Sequence, residues 1–509
     1  MNRAQSIAAL QEPRTLWDVL VIGGGATGLG VAVDAAARGF RTALVEQSDF
    51  AKGTSSRSTK LIHGGFRYLR QGNLSLVRES LLERGRLLRN APQLVHPLDF
   101  VVPCYHWWEA PYYGAGLKLY DWFAGGLGME PSKKLSRAQT VAALPNLRIA
   151  GVRGGIRYQD GQFDDARLAL ALAQTATDRG ASVANYVRVV ALLKESGRVS
   201  GTRVCDLESG EEFSLRGRVV INATGVFTDS VRRMDLADAP PIIAASQGAH
   251  LVLPRKFLGG HTALMVPRTD DGRVLFVIPW QDRVLVGTTD TAVSQTPLEP
   301  RPLKAEITFL LQHAAQYLAR TPTEEDILSV TAGLRPLVNL PGAKSTASLP
   351  RDHVVLVSDS GLVTITGGKW TTYRKMAADA VNKAILVGDL PRQPCGTENL
   401  PLADTGKLTG HRPPEALPAY GASRAPEPNL HPDLPLNVED VLHAARHEMA
   451  RTVEDVLARR TRALLLDARA AMHAAPSVAA LLSVELGCGS VWETEQVTAF
   501  REVAKGYLP

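Results

Sequence analysis

Residues 18–28 read Asp18-Val19-Leu20-Val21-Ile22-Gly23-Gly24-Gly25-Ala26-Thr27-Gly28. A buried strand runs into a glycine turn, and a small-residue helical pattern follows. Gly23, Gly25 and Gly28 keep the G-x-G-x-x-G spacing. The first glycine permits the tight turn, the second admits a pyrophosphate against the backbone, and the third lets the helix pack close to the strand. The helix N-terminus then turns its unpaired N–H groups toward the phosphates. A second apolar run, Thr42-Ala43-Leu44-Val45, ends in Glu46. That is about 20 residues on, where an acid meets a ribose hydroxyl. The unit predicts a dinucleotide-binding βαβ fold over residues 17–46.

The whole chain has 509 residues, enough for two or three domains. Its 45% hydrophobic and 21% charged content is that of an ordinary globular protein. Lys+Arg number 57 against 51 Asp+Glu, a balance that permits attraction to phosphates or an anionic bilayer without demanding it. The basic residues are scattered rather than striped, so no nucleic-acid partner is expected. Cys104, Cys205, Cys395 and Cys488 lie far apart with no C-x-x-C pair. A sequence-local metal or iron–sulfur site is therefore not expected, and a reducing cytoplasm is. No signal-peptide core and no run of about 18 apolar residues occurs, which predicts no spanning helix but leaves peripheral binding open.

Along the chain, residues 1–16 read as a loose leader. A helical pattern over 72–90 carries Leu74, Val77, Leu81 and Leu88 on one side, and residues 98–160 look aromatic and irregular. Asp164 to Arg179 reads as a helix. Strands are predicted at 186–193, 201–206, 218–223, 273–279 and 283–288, with a helix near 303–318. Asn437 is an N-cap candidate, with Glu439 and Asp440 in the first turn.

Two further strand–turn segments favour FAD over NAD. Arg218 to Asn222 ends in Ala223-Thr224-Gly225, and Val363-Thr364-Ile365-Thr366 ends in Gly367-Gly368 before a helical pattern. A helix N-terminus at the second turn places backbone donors near a flavin carbonyl.

Gly53-Thr54-Ser55-Ser56-Arg57-Ser58-Thr59-Lys60-Leu61-Ile62-His63-Gly64-Gly65-Phe66-Arg67-Tyr68-Leu69 resembles the signature of FAD-dependent glycerol-3-phosphate dehydrogenases. Thr331 to Leu337 and Gly367 to Arg374 are similar to two more motifs of that family. Together they point to its aerobic, respiratory type, because the cysteine clusters of its anaerobic branch are absent. The resemblance implies an α/β fold: a Rossmann-like FAD-binding domain with an antiparallel-sheet substrate domain and a C-terminal helical domain. The corresponding boundaries are 17–105, 155–235 and 350–386 for a discontinuous FAD-binding domain and 106–154 and 236–349 for the substrate domain. A proline-rich connection over 387–436 and helices over 437–509 complete the chain.

The resemblance also implies oxidation of sn-glycerol 3-phosphate by non-covalent FAD, with electrons passed to a membrane quinone. Arg67, Arg335, Arg351 and Lys369 would clamp the phosphate, with Tyr68 adding a hydroxyl. Arg335 and Lys369 count with the catalytic group. His250 aligns with a family histidine as the base, because histidine suits proton transfer near neutral pH; His63 is the rival. Thr54, Ser55, Thr59, His63 and Gly64 would join Gly23, Gly25, Gly28, Glu46, Ala223, Thr224, Gly225, Gly367 and Gly368 at the flavin. No metal ligand set is implied. A homodimer is expected, cytoplasmic and peripheral on the cytoplasmic face of the inner membrane. The aromatic cluster Trp107, Trp108, Tyr112, Tyr113, Leu117, Tyr120, Trp122 and Phe123, with Lys118, Lys133, Lys134 and Arg137, is the candidate anchor; a core helix is the other reading. The alternatives are an oxidase delivering electrons to oxygen, a flavin amine or amino-acid oxidase, and a flavin-bearing nucleic-acid-binding protein.

Overall fold

The computed structural model describes residues 1–65, 73–267, 269–270, 272–339, 352–404 and 428–509. Its two sheets answer the two kinds of strand pattern in the sequence. The strand Leu16–Ile22, apolar throughout from Val19 on, sits at the centre of an eight-stranded sheet. It pairs in parallel with Thr42–Val45 on one side and Glu212–Asn222 on the other, and the strand Val363–Gly367 extends the parallel set. Parallel strands covered on both faces need continuous apolar runs. Val19, Val21 and Leu44 are accordingly at most 1% exposed. Each such burial is worth about 1.5–3 kcal/mol relative to exposure. The helices Ala26–Ala37, Asp165–Asp178 and Tyr373–Val387 share this core.

The second sheet has ten strands and is antiparallel except where Ala263–Val266 pairs in parallel with Val95–Cys104. The ten-residue pairing of Val95–Cys104 with Gly154–Phe163 lies wholly within this second sheet. The boundaries that the resemblance implies group both strands with the FAD-binding domain. The expectation that 98–160 is irregular does not hold, and the pairing absorbs Pro97 and Pro103, residues unusual inside a strand. Those prolines stand opposite Gly161 and Gly155, and the same stretch holds the helices Glu109–Ala124 and Arg137–Ala143.

Residues 1–16 are not a loose leader. Arg3–Gln11 is a helix capped by the Asn2 side chain, with Leu10 only 1% exposed and Arg3 paired to Asp206 and Glu208. Two short anchors thus outweigh a segment whose composition suggests nothing.

Beyond residue 437 the chain is helical. Asn437 caps Val438–His447 in a reciprocal box with Asp440, then Ala468–Leu486 and Ser490–Lys505 follow. This segment packs Leu464, Leu465 and Val478 against Val252, Ile278 and Leu285 of the second sheet. Charge ties it to the first sheet. Arg459 and Arg460 both bind the Asp49 carboxylate in the loop after Thr42–Val45, and Arg167 pairs with Glu448 at 2.7 Å. All five side chains are at most 3% exposed. Burial alone would raise the Glu448 carboxyl, but Arg167, His443 and Arg460 outweigh it and hold it at about 2.

Asp49→Asn should remove the carboxylate that two buried guanidinium groups share and, although Glu454, Asp455 and Glu448 still face them, cost up to about 3–5 kcal/mol, measured as a lowered urea midpoint. Because Glu448 is held below its ordinary 4.5, its stabilisation is complete above that pH and disappears as pH falls toward 2. Glu448→Gln should therefore flatten the acid limb of a stability–pH curve.

Candidate functional site

A cavity of about 520 Å³ lies between the two sheets, and its walls are the turns that follow their strands. At one end stands the first glycine turn. Gly23 has φ +110°, and a Cβ built on Gly28 would fall 1.9 Å from the Gly23 carbonyl oxygen. The helix Ala26–Ala37 begins at Gly25 without a side-chain cap. Glu46 turns back onto this turn: its carboxylate accepts from Gly24 N at 2.6 Å and Ser48 N at 2.9 Å. Burial raises the Glu46 carboxyl, and these two N–H donors oppose that rise.

Further along the cavity come Ala223, Thr224 and Gly225, then Gly367 and Gly368. Asn222 Oδ1 accepts from Thr224 Oγ1 at 2.7 Å and shapes the first of these turns. The second leads through Trp370–Thr372 into the helix Tyr373–Val387. The segment 53–59 closes over both. Ser55 Oγ accepts from Ala26 N at 2.9 Å, Ser55 O accepts from Trp370 Nε1 at 2.9 Å, and Thr54 Oγ1 donates to Leu334 O at 2.6 Å.

The opposite end is built on the second sheet. Ser246, Gly248 and His250 alternate along the strand Ile243–Pro254, facing Arg335, Gly333 and Thr331 of the strand Ser329–Val338. Glycines make the room here. A Cβ on Gly248 would fall 2.2 Å from Arg335 Nη2, and one on Gly287 would fall 2.1 Å from His250 Cδ2. The guanidinium and the imidazole thus lie across bare backbone. Arg335 Nη2 donates to Thr289 O at 2.9 Å and Thr288 Oγ1 at 3.1 Å, while Nη1 stands 3.5 Å from Asp290. His250 Nε2 lies 2.9 Å from Thr59 Oγ1. Burial, then the charges of Lys60 and Arg335, push the imidazole down to about 3, so it is neutral at neutral pH.

Most of the residues expected at the site meet in this cavity. Gly23, Gly25, Glu46, Thr54, Ser55, Thr59, His63, Ala223, Thr224, Gly225, Gly367, Gly368, His250, Arg335 and Lys369 all line it. Gly28 and Gly64 do not. Gly28 serves helix–strand packing, and Gly64 lies where a Cβ would meet Leu81 and the Tyr120 hydroxyl. Arg67, Tyr68 and Arg351 lie outside the described residues. Sequence reasoning missed Gly248, Gly287, Thr288 and Asp290. The run Gly287-Thr288-Thr289-Asp290 carried a signal, a glycine closing a strand directly before two hydroxyls and an acid. Its pairing with Arg335, 45 residues away, carried none, although Arg335 itself was expected at the site.

Comparison with known proteins bears on the same features. The FAD dependent oxidoreductase family matches residues 18–374, and the C-terminal domain of alpha-glycerophosphate oxidase matches 410–496. The mitochondrial glycerol-3-phosphate dehydrogenase of Macaca fascicularis is 42% identical over 97% of this chain and 73% of its own length. That of Arabidopsis thaliana is 42% identical over 96% of this chain and 86% of its own. The chain belongs to the FAD-dependent glycerol-3-phosphate dehydrogenase family. Among solved structures, the glycerol-3-phosphate dehydrogenase from Bacillus halodurans complexed with FAD superposes with a TM-score of 0.78 at 26% identity, covering 99% of this chain and 97% of that one. L-alpha-glycerophosphate oxidase from Mycoplasma pneumoniae, at 16% identity and a TM-score of 0.57 over 76% of this chain and 98% of that one, shares the fold.

The enzyme is FAD-dependent, and its residues fit that cofactor. The helix start at Gly25, the Glu46 carboxylate and the later turns all line one cavity. Gly28→Ala would push its methyl into the Gly23 carbonyl at 1.9 Å and spring the turn. The expected product is a protein isolated without yellow colour, checked by its absorbance near the flavin bands.

Proposed function

We propose that this family member oxidises sn-glycerol 3-phosphate to dihydroxyacetone phosphate and passes the electrons to a membrane quinone. The observation that carries the reading is the juxtaposition of Arg335 and His250 across the glycine floor of a cavity that also holds the FAD turns. A phosphate dianion needs fixed cations, and a guanidinium offers planar paired donors. Arg335 and Lys369 both line this cavity and supply that charge. Bound there, FAD supplies the acceptor for the hydride leaving C2. The chain supplies the rest: Arg335 holds the phosphate, and His250 takes the proton of the C2 hydroxyl. The neutral ring is the form that can accept it. Phosphate bound at Arg335 also offsets one of the two positive charges that hold the imidazole low. Seating the substrate therefore raises the basicity of the group that must deprotonate it.

The cofactor is proposed to be held without a covalent bond, so acid precipitation should leave the flavin in the supernatant. Anaerobic addition of sn-glycerol 3-phosphate should bleach it, and glycerol should not. Arg335→Ala removes a charge-assisted contact of roughly 1.5–3 kcal/mol, so kcat/KM should fall about ten- to a hundredfold with FAD content unchanged. Equal turnover of glycerol and glycerol 3-phosphate would refute the phosphate clamp.

Attachment to the cytoplasmic face of the inner membrane is part of the proposal, because a quinone dissolved in lipid must be reached from the bilayer. Among the described residues no helix is long and apolar enough to cross a membrane. The helix Glu109–Ala124 and its lead-in combine both readings of the aromatic segment. Tyr113, Leu117 and Tyr120 are buried, while Trp107 is 78% and Trp122 73% exposed, with Trp108 and Tyr112 also outward. Lys118, Lys133 and Lys134 line a small hollow beside this helix. Exposed indoles beside ammonium groups suit the headgroup layer of an anionic bilayer. Wild-type protein should float with anionic liposomes at low salt, and Trp107→Ser/Trp122→Ser should stay in the pellet. Equal flotation of the two would remove this anchor.

A further inference from the structure

We propose that Thr59 is a positioning residue for His250, and that the C-terminal helical segment sets Thr59 through a buried relay headed by Arg462. The proposal rests on the reading of His250 as proton acceptor. Thr59 Oγ1 lies 2.9 Å from His250 Nε2. The ring is 2% exposed, and its Nδ1 has no hydrogen-bond partner among the described residues. The Thr59 hydroxyl is thus the polar contact that sets the ring, and a histidine nitrogen is fixed in role by the bond its ring makes.

Thr59 itself is gripped from both sides. Asp165 Oδ2 accepts from Ser58 N at 2.9 Å, Ser58 Oγ at 2.7 Å and Lys60 Nζ at 2.7 Å. Lys60 Nζ also donates to the Ser56 and Ser58 carbonyls at 3.0 and 3.2 Å. Lys60 has φ +62°, a left-handed conformation that a lysine keeps only where its surroundings impose it. The turn that aims Thr59 is therefore wound around one buried carboxylate.

Arg462 reaches that carboxylate from the far end of the chain. Its Nη2 donates to Asp165 Oδ1 at 3.0 Å, across 297 residues of sequence, and to Ser56 O at 2.9 Å. Arg462 and Lys60 both lie over the Trp280 ring, at 5.8 and 5.9 Å from its centroid. Trp280 belongs to the same sheet as His250. One end of the relay is thus packed on the sheet that presents the base, and the other end belongs to the C-terminal helices.

Thr59→Val keeps the side-chain shape and loses the hydroxyl; Thr59→Ser keeps the hydroxyl. Since one net hydrogen bond corresponds to about tenfold, Thr59→Val should slow anaerobic flavin reduction about tenfold, while Thr59→Ser stays within about twofold of wild type. The affinity for dihydroxyacetone phosphate, measured by calorimetry, should be the same in all three. Arg462→Lys should slow reduction in the Thr59 background and have no further effect in the Thr59→Val background, because both act through the same contact. Ser58→Ala, which removes a donor to Asp165 without stranding a charge, should follow the same pattern and serves if Arg462→Lys does not fold. A wild-type rate for Thr59→Val, or equal slowing by Arg462→Lys or Ser58→Ala in both backgrounds, overturns the relay. His250→Asn separates the two readings. If it reduces flavin at the wild-type rate, the base assignment fails; if it is slow while Thr59→Val is not, the relay alone fails.

Discussion

The structure depends on backbone approaching closer than any side chain would allow. Gly28 lets the first helix press onto the Gly23 carbonyl, and this contact sets where the helix N-terminus points. The same device recurs in the second sheet, where Gly248 and Gly287 leave a trough that Arg335 and His250 lie across. In the first case the missing Cβ lets a helix pack directly onto the turn that precedes it. In the second it lets two functional side chains lie flat against a sheet, with their polar ends beside a shared cavity. The enzyme thus makes its two binding regions by the same subtraction, on sheets of different kinds.

Much of the first sheet was legible in the sequence because its signals are local. Turn, helix start and acid lie within 30 residues, and each follows from backbone geometry and burial. The helical patterns over 72–90 and 164–179 and the Asn437 cap were legible for the same reason, and all three are realised as helices. The second sheet was less legible. Its strands contain prolines and glycines that argue against strand formation one residue at a time, and only pairing across the sheet explains them. The N-terminal helix was missed because its anchors, Asp206 and Glu208, are about two hundred residues away.

The candidate site divides along the same line. Residues inside glycine-bounded motifs were found, since a motif is a local object. Residues that matter through distant partners were not. Asp165 and Arg462 looked like ordinary members of helical, mixed-charge stretches, yet they form a buried pair with side chains 0% and 2% exposed. Asp49 and its two arginines are separated by over four hundred residues. Periodicity says that such a residue lies on a helix or loop, but not what covers it.

Burying this many charges is expensive, and apolar packing could hold two units together at less cost. What ionic contacts add is direction. A carboxylate that accepts several donors at set angles permits one arrangement of the chain around it, where an apolar contact permits many. The loop from Glu46 to Lys60 is where direction matters. It carries the acid that faces the first turn, the segment closing over the cavity and the hydroxyl on His250. Asp49 and Asp165 brace it at two points, and in both cases arginines of the C-terminal helices complete the bracing. The C-terminal segment lies outside the cavity wall, yet it constrains the element on which both ends of that cavity depend. Its contacts are therefore ones of position: they fix the loop against the sheet that bears Arg335 and His250.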